Sequence, residues 1–91
     1  MAQLTCEVSE GLRKAEATVM IRTFDGRREF LPVDREFLTR EGNKYFLPVG
    51  LIHTSEGENA ALIELPSEAD SGANRVWVRL DHLRLTSETV R

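Results

Sequence analysis

The chain is poor in the residues that most often mark chemistry. It has one cysteine, Cys6, which leaves no intrachain disulfide and no thiolate cage for a metal. Glu7 and Glu10 beside it raise a thiol pKa, the opposite of what a nucleophile needs. Six glycines are scattered singly through turns, so no glycine-rich loop is present to cradle a phosphate. Ser9, Ser55, Ser67 and Ser71 lack the context of a nucleophile elbow. No stretch approaches the ~18 apolar residues of a membrane span, and the N-terminus lacks the basic-then-apolar order of a signal peptide. The expected address is the cytoplasm, with no membrane partner. Lysine is scarce too: only Lys14 and Lys44 accompany ten arginines, a bias that favours planar, bidentate contacts but that a GC-rich genome also produces.

What is present is ordinary for a globular domain. Apolar residues make up 41% and charged residues 30%, which argues against disorder across most of the chain. At 91 residues the expectation is a single domain over 1–91 with a small core and fraying at 1–12 and 86–91. The net charge of −3 disfavours nonspecific nucleic-acid binding, which depends on a basic face. Its distribution is uneven. Residues 45–70 carry Glu56, Glu58, Glu64, Glu68 and Asp70 without a Lys or Arg, whereas 71–91 carries Arg75, Arg79, Arg84 and Arg91 against Asp81 and Glu88.

Along the chain, period-two alternation dominates. Leu4, Cys6 and Val8 suggest a short edge strand. Asp25-Gly26 reads as a two-residue hairpin turn, which pairs Arg22 with Glu29, Ile21 with Phe30, Met20 with Leu31 and Val19 with Pro32. Pro32 cannot donate to a ladder and belongs on an edge or at the end of pairing. Asp34 is a plausible N-cap for one helical turn closing at Gly42, with Phe37 and Leu38 plugging one end of the core. The strand over 45–53 holds Pro48 and Gly50 and is expected to bend or bulge. Residues 29–34 (Glu-Phe-Leu-Pro-Val-Asp) are echoed at 45–50 (Tyr-Phe-Leu-Pro-Val-Gly), as if a strand twice left a barrel at a proline.

The clearest pattern lies at 61–85. Ala61, Ile63 and Leu65 share one face of a strand, and Val76, Val78 and Leu80 share one face of another. Leu62 and Glu64 take the opposite face of the first, Arg75, Trp77 and Arg79 that of the second. The only tryptophan therefore falls among arginines. Residues 80–85 follow as strand, single turn, strand. Five or six short strands with one or two single helical turns make an all-β fold, a small barrel. In layout it resembles SH3-like barrels, whose last two strands are separated by one tight turn as at Asp81-His82-Leu83, and more loosely PRC-barrel modules.

Four kinds of chemistry compete for this chain. The acidic stretch invites a divalent cation, but Glu56/Glu58 and Glu68/Asp70 flank a strand and fall at opposite ends of it. Asp70, Ser71, Gly72 and Asn74 also make an ordinary turn. His53 near Glu56 and His82 beside Asp81 have no third partner for acid-base work. Arg22, Arg27 and Arg28 with Arg75, Arg79 and Trp77 combine charge and stacking, the recipe for single-stranded nucleic acid. The last reading takes Trp77 as a protein-binding anchor flanked by Arg75 and Arg79, with Leu62 and Glu64 as cross-strand neighbours. Against it stands the expectation that Leu4, Val8 or Leu12 folds over Trp77.

The sequence therefore points to a non-enzymatic β-barrel without cofactor, metal or catalytic residues. The function expected of it is binding a protein partner, or a second copy of itself, through Trp77, Arg75, Arg79, Leu62 and Glu64. A nucleic-acid-associated barrel is the alternative, and a small-ligand or divalent-metal module the third reading.

Overall fold

A computed structural model describes residues 2–85; the expected fraying at 86–91 lies outside them. The chain forms β1 (Ala2–Glu10), β2 (Glu16–Arg22), β3 (Arg28–Asp34), β4 (Thr39–Glu41), β5 (Lys44–Ser55), β6 (Ala60–Glu64), β7 (Arg75–Arg79) and β8 (Leu83–Leu85). Three single 3-10 turns precede β4, β6 and β8. Six strands run in the order β3-β2-β1-β5-β6-β7, with β4 on β5 and β8 on β1. The fold is all-β, a sheet curled into a half-barrel, and its size and layout are consistent with an SH3-like barrel.

The curl comes from two long strands that change partners midway. β1 pairs with β5 and β8 through its first half and with β2 through residues 7–10. β5 pairs with β1 and β4 up to Val49 and then with β6 from Gly50. A bulge between Leu51 and His53 bends it at this hand-over, as the Pro48 and Gly50 pattern suggested. Alternate residues of every long strand meet inside the curl: Ala2, Leu4, Val19, Ile21, Leu31, Leu47, Ile63 and Val78 share one buried cluster. The inner stripe expected at 61–80 holds, with Leu80 packed against the cluster rather than fully within it. Arg84 secures β8: it grips both carboxylate oxygens of Glu41 at 2.8 Å, donates to Gln3 and stacks 3.7 Å above the Phe46 ring.

Several expectations need correction. The N-terminal strand is neither short, edge nor frayed; β1 is nine residues long and lies inside the sheet. The β2–β3 register is one residue off the expected one: Arg22 faces Arg28, Ile21 faces Glu29, Met20 faces Phe30 and Val19 faces Leu31. Residues 24–26 form a three-residue loop closed by Thr23 N–H to Arg27 O at 2.8 Å and Gly26 N–H to Thr23 O at 3.0 Å. Gly26 sits at φ +90°, the left-handed residue of such a loop, and the Thr23 hydroxyl accepts the Arg27 N–H at 3.0 Å. A slip of one residue exchanges faces, so Glu29 turns inward and Phe30 outward.

Asp34 precedes a 3-10 turn at Arg35–Phe37 but makes no capping bond with its side chain, and the turn ends at Leu38. Gly42 instead serves the β4–β5 turn at φ +63°. Leu38 packs against the core, while Phe37 is exposed. Neither proline marks a strand leaving the barrel. Pro32 lies within edge strand β3 opposite Thr18, its missing N–H placed where no strand pairs. Pro48 pairs with Gln3, at a point where the far side of β5 has passed β4 and not yet met β6.

Candidate interaction face and adjoining groove

β6 and β7 pair without irregularity, and their register sets the face. Glu64 lies opposite Arg75, Leu62 opposite Trp77 and Ala60 opposite Arg79. On the other side of β6, Leu62 meets His53 of β5. His53, Leu62 and Trp77 thus form one row across three strands, with the His53 ring edge-on to the indole at a centroid separation of 6.1 Å. Trp77 is 43% exposed. The expected cover by Leu4, Val8 or Leu12 is absent: Leu4 is buried in the core, Val8 packs beside it and Leu12 stands in solvent. The cause is the central placement of β1, which commits the N-terminal segment to the sheet itself.

The arginines on either side of Trp77 differ. Arg79 donates from Nε and Nη2 to the two oxygens of Asp81 at 3.1 and 2.9 Å, and Asn59 donates to the same carboxylate at 3.2 Å. The Arg79 hydrogen bonds, aided by Asn59, hold Asp81 down at about 2, and the same pairing raises Arg79. Arg75 is looser, with Nη2 at 3.9 Å from Glu64. Leu51 and Ile52, the latter the unpaired residue of the bulge in β5, add exposed apolar surface on the same sheet.

The other candidates disperse. His82 Nε2 is 3.8 Å from Asp81 on an exposed turn, well apart in chemistry from His53 against the indole. The acidic loop does structural work: Asp70 N–H donates to Phe30 O at 2.7 Å, Ser67 Oγ to Pro32 O at 2.8 Å, and Ser71 Oγ to Glu29 Oε1 at 2.7 Å. These bonds tie the 66–74 loop to the free edge of β3. Among the described residues no three His, Cys, Asp or Glu gather as a metal site. Cys6 is buried, and burial first, then Glu7, pushes its thiol up to about 12. The basic residues of the nucleic-acid reading do not form one free patch: Arg27 pairs with Asp25 at 3.2 Å, Arg79 with Asp81, and Arg22 and Arg28 stand opposite one another on β2 and β3.

Beside Trp77 lies a feature that sequence reasoning missed, an open groove of about 640 Å³ between β7, the β2–β3 turn and the 66–74 loop. Phe24 and Trp77 line it with Arg75, Glu58 and Glu29. Phe24 N–H donates to Trp77 O at 2.7 Å and closes one end. Glu29 is only 7% exposed. The expected register paired it with Arg22 as one of two opposite charges, which is why it carried no signal.

Compared with protein-family models, curated proteins and solved structures, the chain matches none. The functional reading rests on its own geometry. Among the described residues no helix is long and apolar enough to cross a membrane.

Proposed function

We propose that this half-barrel is a protein-interaction or self-association module that works through the outer face of the β6–β7 hairpin. The observation that carries the reading is the half-exposed Trp77 in a row with Leu62 and His53, bordered by arginines. Trp and Arg are the residue types most enriched where binding energy concentrates, and an apolar centre with a charged rim is the usual anatomy of such a spot. Trp77 is the anchor and Leu62 its apolar neighbour. Arg79, fixed by Asp81, presents a preorganised cation, while Arg75 is free to leave Glu64 for a partner carboxylate. Glu64 and the 66–74 loop form the rim. The role is binding rather than catalysis, since the face offers a ring, aliphatic groups and ion-paired arginines. The reading assigns the module to the cytoplasm, where the lone thiol of Cys6 stays reduced.

The test uses the chain as bait, together with light scattering over a range of concentrations. Trp77→Ala is expected to abolish partner capture or self-association, and Phe37→Ala, an exposed apolar residue outside the β6–β7 hairpin, to leave it intact. Equal behaviour of the two variants sinks the reading.

A further inference from the structure

The groove beside Trp77 carries an inference that builds on the interaction reading and names the partner's chemistry. Three observations converge there. The first is an open strand edge. β7 bonds to β6 through alternate residues, as Leu65 N–H to Asn74 O and Leu80 N–H to Asn59 O show at either end. The backbone groups of Arg75 and Trp77 therefore point the other way, toward the groove. Trp77 O accepts from Phe24, whereas the Trp77 N–H and both backbone groups of Arg75 take no partner among the described residues.

The second is charge. Asp25 and Arg27 at the turn neutralise each other at 3.2 Å, and Arg75, which also lines the groove, has its Nη2 at 3.9 Å from Glu64. The carboxylates of Glu29 and Glu58 outnumber that one guanidinium. Glu29 is more than nine-tenths buried and lines the groove, and only its Oε1 is engaged, by Ser71. The third is the rim, where the half-exposed rings of Phe24 and Trp77 line the groove with those carboxylates. An aliphatic stem ending in a cation satisfies both the rings and the acid. A volume of about 640 Å³ suits one long side chain and a short stretch of backbone rather than a globular surface.

We propose that the groove binds an extended segment of a partner protein, which pairs with the open edge of β7 at Arg75 and Trp77 and sends a lysine or arginine side chain past Phe24 to Glu29. Backbone pairing supplies affinity without sequence preference, and the Glu29 contact supplies selectivity for a basic residue.

The probe is a short capped peptide alternating threonine and valine about a central lysine, titrated into the 15N-labelled protein and followed by amide chemical shifts. The expected result is movement of the Arg75, Trp77 and Phe24 amides, with affinity roughly tenfold above that for the same peptide carrying a central glutamate. Glu29→Gln keeps an oxygen for Ser71 and is expected to weaken the lysine peptide by about the same tenfold factor. Equal binding of the lysine and glutamate peptides overturns the proposal, as does butylammonium binding as tightly as the peptide. The same shifts on raising protein concentration alone would assign the groove to a second copy and overturn it too. If the peptide arms fail while Trp77→Ala still abolishes capture, the outer-face reading stands alone. If capture also survives that substitution, the outer-face reading has failed as well.

Discussion

Removing one hydroxyl, in Ser71→Ala, tests how the half-barrel is closed. Ser71 Oγ donates to the Glu29 carboxylate at 2.7 Å across 42 residues of sequence, and Glu29 is 7% exposed. A hydrogen bond to a charged group nets about 1.5–3 kcal/mol, and the exposed position of Ser71 argues for the lower half of that range, about 1.5–2 kcal/mol. For a domain of this size each kcal/mol moves the midpoint by about 4–8 °C, so Tm is expected to fall by about 6–16 °C. The other two tethers of the loop, Asp70 to Phe30 and Ser67 to Pro32, remain, so unfolding stays cooperative. Thermal and urea denaturation followed by circular dichroism reads the effect. Glu29→Gln and the double variant complete a cycle that isolates the pair from its surroundings. A fall in Tm below ~2 °C, or a coupling within ~0.3 kcal/mol of zero, refutes the claim that this bond holds the loop to β3.

Three further outcomes follow from the same structure. Gly26→Ala, at φ +90° with open space around the added methyl, is expected to lose about 1–2 kcal/mol from backbone strain alone, whereas Gly57→Ala, equally open and without positive φ, stays within about 0.5 kcal/mol of the parent in urea melts. Asp81 has its pKa depressed from 3.8 to about 2, so its contribution to stability is complete above the unfolded value and is lost as pH falls through the folded one. The Tm difference between the parent and Asp81→Asn should therefore shrink between pH 4 and pH 2, and a difference constant over that window contradicts the Arg79–Asp81–Asn59 clamp. Cys6, buried with its thiol raised to about 12, should resist iodoacetamide at pH 8 in the folded protein and react promptly in urea; rapid labelling of the native state contradicts its burial.

The parts of the fold legible in the sequence are those where alternation alone decides the answer. In β6 and β7 the inner and outer faces differ sharply in polarity, so Ile63, Val76 and Val78 find the core and Trp77 falls opposite Leu62 as expected. The β2–β3 hairpin was ambiguous for a physical reason. Asp25-Gly26 fits a two-residue turn and equally the end of a three-residue loop, and the choice lies with the Thr23 hydroxyl and its bond to Arg27 N–H. Both faces of that hairpin carry apolar residues, so hydrophobic pattern does not correct a slip of one. The consequence reached the site: with Glu29 paired to Arg22, its burial and its bond from Ser71 were invisible. The central role of β1 was also hidden, because Leu4, Cys6 and Val8 alternate as any edge strand does, while its three-way pairing is a matter of partners far along the chain. The groove is assembled from the β2–β3 turn, the 66–74 loop and β7, and no local pattern announces such a convergence.

The measurement that bears most directly on the interaction face is partner capture and self-association by Trp77→Ala, with its stability measured alongside. Since 43% of Trp77 already faces solvent, truncation is expected to cost only about 1–2 kcal/mol and to leave a folded domain, while capture and concentration-dependent mass are lost. A folded Trp77→Ala protein that captures the same partners and associates as the parent does would contradict the account.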